Sequence, residues 1–166
     1  MKHIFIYKFV FLLSLSILQS EICEAQTKVF KFEQIDSLQS IKNKTLVIFI
    51  HTNWCQYCQS MENTTFKNKE IIKLLNDQFY FISFNAEEDK NIWFNQRYFK
   101  YLPTGYKTGI NELAKELATN KGQLSYPAIC FLNPKNEIIY QHHGFLSAPQ
   151  FIKLLNAISG SLIIAN

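Results

Sequence analysis

The chain has 166 residues, a length that suits one ordinary domain. Hydrophobic residues make up 48% of it and charged residues 18%, which favours a packed core and disfavours intrinsic disorder. The formal net charge of +4 is small and spread along the chain, so nucleic acid is not a predicted partner.

The first 25 residues have the organisation of a secretory signal peptide. A basic start precedes an apolar run at residues 9–18, which is about half the length needed to span a bilayer. Cys23 and Ala25 are small residues at the −3 and −1 positions of a cleavage site before Gln26. We therefore predict a signal peptide at residues 1–25 and an exported protein, periplasmic or secreted, with no stable membrane insertion after cleavage.

Two other interpretations of this segment remain open, an uncleaved N-terminal anchor and lipidation at Cys23. Lipidation is disfavoured because a bacterial lipoprotein site places a small residue just before the acylated cysteine, where Ile22 stands here. After cleavage three cysteines would remain, namely Cys55, Cys58 and Cys130. Outside the cytosol this odd number predicts one disulfide and one leftover thiol.

Apolar patterns predict alternating strands and helices along the rest of the chain. Short β-branched and aromatic runs predict strands at residues 29–32, 45–50, 79–84, 127–132 and 137–141. Apolar positions three to four residues apart predict helices at residues 33–42, 55–61, 70–75, 87–101, 111–117 and from 147 onward. Asn68 is predicted to cap the third helix, residues 102–105 to end the fourth, and residues 133–136 to form a turn. This order predicts one α/β domain with a central mixed sheet flanked by helices.

Two cysteines separated by two residues open one of the predicted helices. This spacing lets the sulfurs of Cys55 and Cys58 meet in a small disulfide ring. A helix N-terminus offers unpaired N–H groups and a favourable dipole, so it lowers the pKa of a thiol and favours the attacking thiolate. The first cysteine of such a pair is the more exposed, so Cys55 is the predicted nucleophile and Cys58 the predicted resolving thiol. No dissociable cofactor is implied, because the electrons reside in the two sulfurs.

A CxxC pair alone is only moderately specific, and other interpretations stay open. Half a zinc site would need two more ligands. The remaining donors are Cys130, His51, His142 and His143. Cys130 lies in an apolar run, where it is expected to pack as a small hydrophobe. His142 and His143 do not have the spacing of a zinc knuckle. As neighbours on a strand, at most one of these two histidines can be buried. A purely structural disulfide and copper delivery by the two thiolates are further alternatives, and we predict no bound metal.

The pattern around the cysteines resembles the thioredoxin superfamily over roughly residues 28–160. The resemblance rests on the apolar strand that leads to Trp54 and the cysteines, and on Tyr126-Pro127 about seventy residues later, before a strand hairpin. In that family the proline is cis and faces the disulfide, and an extended substrate pairs with the residue before it. The resemblance therefore implies a cis bond before Pro127 and substrate contacts from Trp54, Tyr126 and Pro127. A trans proline at the start of an ordinary strand is the alternative.

A closer resemblance is to secreted thioredoxin-like thiol:disulfide interchange proteins with a W-C-x-x-C-x-x-M motif, formed here by Trp54, Cys55, Cys58 and Met61. It implies a thioredoxin-like domain over residues 26–166 that acts as a thiol–disulfide oxidoreductase. The substrates would be disulfides of proteins or small thiols, and an unidentified redox partner would regenerate the protein. We expect a reductase outside the cytosol, with Met61 serving only as a core residue.

Two features near the cysteines depart from the family. Thioredoxins carry a buried Asp six residues before the first cysteine, whereas Phe49 stands here, so the acceptor of the resolving proton is unidentified. His51 and Glu62 are near in sequence, although a solvated loop position is the expectation for this histidine. The dipeptide Gln56-Tyr57 between the cysteines matches neither reductant-like nor oxidant-like relatives, so it leaves the redox direction open.

A helical insertion is predicted before the cis-proline, at about residues 89–124, with room for two helices where the family has one. It is rich in aromatic side chains, namely Trp93, Phe94, Tyr98, Phe99, Tyr101 and Tyr106. These could form a lid or client-binding surface, or they could dock the extra helices onto the domain, which we favour. A non-catalytic binding or assembly module with a structural disulfide is therefore kept as the alternative function.

Overall fold

The structure of the protein is a computed structural model that describes residues 26–164, with side chains described as far as residue 160. The predicted signal peptide lies outside these residues. The elements follow in this order: α1 (Ile35–Ile41), β1 (Thr45–His51), α2 (Gln56–Asn63), α3 (Lys69–Gln78), β2 (Phe79–Asn85), β3 (Ile92–Phe94), β4 (Arg97–Phe99), β5 (Tyr101–Gly105), β6 (Thr108–Asn111), α4 (Glu112–Ala118), β7 (Thr119–Asn120), β8 (Gln123–Leu124), β9 (Ala128–Leu132), β10 (Ile138–His143) and α5 (Ala148–Ile164). Short 3₁₀ turns, Phe32–Gln34 and Thr65–Lys67, precede α1 and α3. No helix of this described part combines the length and apolar content that crossing a membrane requires.

A mixed sheet of four strands, in the order β10-β9-β1-β2, forms the centre of the fold. β1 and β2 are parallel, from Thr45 opposite Phe79 to His51 opposite Asn85. β9 runs antiparallel to both β1 and β10. Residues 45–50 are all buried, as a continuously apolar run predicts for a strand covered on both faces. The carboxyl ends of β1 and β2 therefore lie side by side at one edge of the sheet.

Alternating side chains of β1 contribute to two separate hydrophobic cores. Leu46, Ile48 and Ile50 belong to the core that includes α1, the β3–β4 hairpin and α4. Val47 and Phe49 belong to the core that includes α2, α3 and α5. The helix that begins beside the cysteines is thus packed on one face of the sheet, and the insertion covers the other.

The predicted cap of α3 is confirmed. The Asn68 side-chain oxygen accepts hydrogen bonds from the N–H groups of Glu70 at 3.0 Å and Ile71 at 3.2 Å. Ile71 and Leu75 are buried one turn apart, so this helix follows its apolar spacing.

The predicted helix at residues 87–101 is wrong, because this stretch forms the β3–β4 hairpin and the start of β5. Ile92 and Phe94 are buried while the residue between them is exposed, which is the two-residue period of a strand. Asn95 and Gln96 form the turn, with φ of 51° and 60°. Two successive positive φ values match the turn that joins antiparallel strands and are incompatible with a continuing helix.

Two further stretches also differ from their predictions. Residues 102–105, predicted as a helix break, belong to β5, which pairs with β6 in a separate two-stranded hairpin. The short hairpin tolerates Pro103, because a proline without an N–H fits an edge position. The predicted strand at residues 29–32 reduces to one bridge, between Val29 and Phe81.

Asn111 joins the insertion to the segment that follows β2. Its side chain is fully buried, and its oxygen accepts from the Leu113 N–H at 2.9 Å, which caps α4. The helix predicted at residues 111–117 is confirmed, although Asn111 was not predicted as its cap. Its amide nitrogen donates to the Lys90 carbonyl at 2.8 Å, and its backbone N–H donates to the Ala86 carbonyl at 2.8 Å. The described part of the insertion therefore holds one helix, not two, together with small hairpins.

Candidate active site

The loop after β1 brings both predicted reactive cysteines to the first turn of α2. Cys55 is the N-cap residue, and its sulfur accepts a hydrogen bond from the Cys58 N–H at 3.1 Å. The two residues form a disulfide, with their Cα atoms 5.2 Å apart. Cys58 is fully buried, whereas 5% of the Cys55 surface is exposed. The predicted nucleophile is therefore the more exposed of the two cysteines, and the helix N-terminus provides an N–H that would stabilise its thiolate.

The segment before β9 lies close to the cysteine loop. The peptide bond between Tyr126 and Pro127 is cis, as the resemblance implied. The buried Pro127 accepts a hydrogen bond at its carbonyl from the Gly144 N–H at 2.8 Å, and Gly144 has a φ of 108° that favours glycine. The Tyr126 ring lies edge-on to Trp54, with centroids 6.1 Å apart, and packs against the core that contains both cysteines. The structure thus brings together all three residues predicted to contact substrate.

Glu87 is a site residue that the sequence analysis missed. The Trp54 indole N–H donates to a Glu87 carboxylate oxygen at 2.9 Å. The parallel pairing of β1 and β2 explains this contact, because His51 lies opposite Asn85 and the residues after each strand are neighbours. The His51 carbonyl accepts from the Ala86 N–H at 2.8 Å, and the Asn85 side chain accepts from the Glu87 N–H at 3.0 Å. Both strands were predicted from the sequence, but their parallel pairing, which places Glu87 near Trp54, was not.

A second pair of aromatic rings lies beside the disulfide. Tyr57, between the cysteines, is 68% exposed, and Phe145, in the loop after β10, is 39% exposed. Their ring centroids are 6.4 Å apart. Phe145 was not among the predicted site residues, since only the fold brings its loop next to α2.

The position that holds a buried Asp in thioredoxins is occupied here by a residue of the hydrophobic core. Phe49 is fully buried and packs edge-on against Phe66 at 4.7 Å. Two residues later, His51 stacks on Phe49 at 5.1 Å, with its Nδ1 3.9 Å from a Glu62 oxygen and its Nε2 3.1 Å from the Ser83 hydroxyl oxygen. Burial lowers the pKa of His51, although the Glu62 charge opposes this shift. His51 is the last residue of β1 and is partly buried, not a solvated loop residue as expected.

Cys130, the leftover thiol, lies on the other face of the sheet. It is fully buried in the core beneath the insertion, and burial raises its pKa to about 12. The zinc alternative required Cys55 and Cys58 as ligands, but these two sulfurs form a disulfide in the structure. Among the described residues, no group of three or more His, Cys, Asp or Glu side chains could hold a metal ion.

His142 and His143, at the end of β10, are both partly buried. The His143 Nδ1 lies 3.0 Å from the Ser125 hydroxyl oxygen, just before the cis-proline segment. Burial lowers the pKa of both histidines. Neither is fully buried, in agreement with the strand geometry that allows at most one.

The aromatic residues of the insertion divide into docking and surface groups. Phe94 and Phe99 are buried in the core with α1 and α4. Trp93 and Tyr98 contact each other at a tilted angle on the outer side of the hairpin, with ring centroids 4.5 Å apart, and Tyr106 is 89% exposed. The two buried rings thus dock the β3–β4 hairpin onto the domain, whereas the prediction assigned this docking to extra helices.

These features agree with what comparison with known proteins finds. A family model described as a thioredoxin-like domain matches residues 32–159. The chain belongs to this thioredoxin-like family. A comparison with curated proteins finds no match.

Several solved structures share the thioredoxin-like fold of the chain. A DsbH oxidoreductase is 14% identical with a TM-score of 0.56, over 84% of this chain and 91% of that chain. A thioredoxin from Thermus thermophilus is 20% identical with a TM-score of 0.57, over 80% and 87%. A putative disulphide isomerase from Bacteroides thetaiotaomicron is 19% identical with a TM-score of 0.54, over 78% and 88%. At these identities the likeness establishes the fold, which is the predicted mixed sheet flanked by helices.

Proposed function

We propose that the protein is a thiol–disulfide oxidoreductase that exchanges disulfides with proteins or small thiols through Cys55 and Cys58. The carrying observation is the disulfide at the N-terminus of α2, whose cap sulfur accepts the Cys58 N–H. A thioredoxin-like domain with a paired CxxC supports this chemistry in general. Trp54 and the cis-proline segment, which lie beside the disulfide, provide a surface where a substrate could lie.

Reduction of a substrate would take two steps, and each balances atoms and electrons. The Cys55 thiolate attacks one sulfur of the substrate disulfide, a mixed disulfide forms, and the other substrate sulfur leaves as a thiolate and takes up a proton. Cys58 then loses its proton, and its thiolate attacks the Cys55 sulfur and displaces the second substrate sulfur as a thiolate, which is then protonated. Two electrons pass to the substrate, and the protein ends with the Cys55–Cys58 disulfide.

The direction and place of this reaction also form part of the proposal. The signal-peptide pattern at residues 1–25 supports action outside the cytosol, in the periplasm or after secretion. The W-C-x-x-C-x-x-M pattern supports the reductase direction through its resemblance to secreted interchange proteins. A reductase in an oxidising compartment needs a redox partner that supplies two electrons and returns the disulfide to two thiols.

A non-catalytic binding or assembly module is the second candidate. The observation that favours it is the exposure of large rings beside the disulfide, since Trp54 is 66% exposed and Tyr57 is 68% exposed. Such rings often anchor protein contacts. Both candidates would use the same surface, so the reactivity of the cysteines separates them.

Insulin reduction with dithiothreitol as the electron source tests the proposal. We expect Cys55→Ser to lose all acceleration over dithiothreitol alone while its far-UV circular dichroism stays unchanged. In a separate reaction without dithiothreitol, we expect reduced Cys58→Ser to accumulate a mixed disulfide with the substrate, which intact mass and peptide mapping locate at Cys55. Cys130→Ser is the matched control and should keep the wild-type rate, because that thiol is buried on the other face of the sheet.

Two results would contradict the proposal. If the wild-type protein reduces neither insulin nor a small disulfide, the binding-module candidate replaces it. If Cys55→Ser remains active, or if Cys55→Ser and not Cys58→Ser accumulates the mixed disulfide, the assigned roles of the two cysteines are wrong.

A further inference from the structure

A carboxylate is hydrogen-bonded to Trp54, one of the two aromatic residues beside the disulfide that are proposed to contact a substrate. Glu87 accepts the Trp54 indole N–H at 2.9 Å, and Trp54 in turn lies edge-on to the Tyr126 ring. Burial, with a smaller contribution from the Glu87 charge, raises the pKa of Tyr126 to about 12. The carboxylate therefore contacts Trp54 directly, and Trp54 contacts the ring of the residue before the cis-proline.

The charge of Glu87 has no cationic partner within the described part of the chain, where no Lys, Arg or His lies within 4.0 Å of it. The next residue differs, because Glu88 forms an ion pair with Lys90 at 3.3 Å. An indole N–H is neutral, so its hydrogen bond fixes the Glu87 side chain without cancelling the negative charge. The surface near Trp54 thus carries a carboxylate whose position is fixed by a hydrogen bond and whose negative charge has no cationic partner among the described residues.

The second pair of rings beside the disulfide is uncharged. Tyr57 and Phe145 are exposed and lie 6.4 Å apart. A peptide whose cysteine reaches Cys55 would place neighbouring residues near these rings and near Glu87. The surface around the disulfide therefore has two different sides. The side with Tyr57 and Phe145 is aromatic and uncharged, and the side with Glu87 carries one negative charge.

We propose that Glu87 selects disulfide substrates that carry a cationic residue next to the reacting cysteine, and disfavours anionic ones such as oxidised glutathione. This inference rests on the proposed exchange function. A Lys or Arg side chain near the Glu87 carboxylate gains a partly solvated ion pair, whereas an acidic side chain is repelled. The preferred substrates are thus basic segments of disulfide-bonded proteins.

Three disulfide peptides that differ at one position test this proposal. The residue beside the reacting cysteine is Lys, Ala or Glu, and the rate at which each oxidises the reduced protein is followed by quenching and chromatography. We expect the Lys peptide to react about three- to tenfold faster than the Glu peptide at low ionic strength, a ratio typical of partly exposed charge pairs. The ratio should shrink in about 0.5 M salt because screening weakens exposed charge pairs. Oxidised glutathione should react more slowly than the Ala peptide.

Glu87→Gln is the decisive variant, because glutamine can still accept the Trp54 N–H but carries no charge. We expect its Lys-to-Glu rate ratio to fall to within about twofold of unity, since the discriminating charge is gone. Glu88→Gln and Asp89→Asn remove one negative charge from the same loop and are matched controls. Both should keep the wild-type ratio.

The failures of the two proposals can be told apart. Equal rates for the three peptides with the wild-type protein overturn the selectivity while leaving the exchange function intact. A loss of ratio in the control variants as large as in Glu87→Gln also overturns it, since the effect would come from the net charge of the loop. No reaction with any peptide or with oxidised glutathione contradicts the exchange function itself.

Discussion

The buried Asn111 side chain stabilises the fold through two hydrogen bonds, and the loss of both can be measured. Asn111→Ala removes the side-chain cap of α4 and the donor to the Lys90 carbonyl, both provided by a fully buried side chain. Loss of an N-cap costs about 1 kcal/mol. The hydrogen bond to Lys90 is partly buried, so its loss adds about 0.5–1.5 kcal/mol. We therefore expect the free energy of unfolding to fall by about 1.5–2.5 kcal/mol.

Asn68→Ala is the matched comparison, because it also removes a cap, that of α3, but at a more exposed site. We expect it to cost only about 1 kcal/mol. Urea unfolding of the oxidised proteins, followed by tryptophan fluorescence and by far-UV circular dichroism, gives both values by linear extrapolation. If Asn111→Ala costs no more than Asn68→Ala, the hydrogen bond to Lys90 does not stabilise the insertion, and the reasoning is refuted.

Further predictions concern protonation, thiol reactivity and two glycines. Burial lowers the pKa of three histidines below 6.5, namely His51, His142 and His143. The unfolded chain then binds more protons than the folded one around and below pH 6.5, so the free energy of unfolding should fall as the pH drops from about 7.5 to about 5.5. If urea unfolding gives the same free energy at about pH 7.5 and about pH 5.5, the pKa values of these partly buried histidines are not lowered. Cys130, with a pKa raised to about 12, should resist iodoacetamide until the protein is unfolded, and peptide mapping that finds it alkylated in the native state would show that its burial is wrong. Gly160→Ala in α5 should stabilise the protein by up to about 1 kcal/mol, because a Cβ there meets nothing within 4 Å. Gly109→Ala should lower the melting temperature, because its Cβ would lie 2.6 Å from the Leu102 carbonyl oxygen, and an unchanged melting temperature would count against this packing.

The central elements could be predicted because their sequence signals are long and unambiguous. β1 is a run of apolar and β-branched residues, and a strand buried on both faces needs such a run. α3 has both a cap residue, Asn68, and an apolar face, so two independent signals agree. The cysteine pair and the cis-proline were recognisable because their chemistry depends on particular residue types at fixed spacing.

The insertion was mispredicted because aromatic residues at close spacing fit both a helix and short hairpins. The turn at Asn95 and Gln96 requires positive φ at two residues, a conformation that the composition alone did not reveal. The buried Phe94 and Phe99 alternate with exposed rings, and this period of two was hidden because the exposed neighbours, Trp93 and Tyr98, are also aromatic.

The two missed residues of the candidate site depend on how the chain folds in three dimensions. Glu87 follows β2 and reaches Trp54 only because β2 lies parallel to β1 and ends at the same edge. Phe145 reaches Tyr57 only because the loop after β10 turns back toward α2. Neither residue has a sequence signal of its own, since a glutamate after a strand and a phenylalanine before a helix are ordinary.

The equilibrium of the Cys55–Cys58 pair in a series of glutathione redox buffers tests the central claim most directly. The reduced and oxidised fractions would be trapped with acid and measured by thiol alkylation and mass spectrometry, with Cys130→Ser to remove the third thiol of the described region. We expect reversible exchange with a potential near about −270 mV, the range of thioredoxin-like reductants. A pair that stays oxidised in strong dithiol, or does not exchange reversibly, would mean that the disulfide is structural and that the proposed function is wrong.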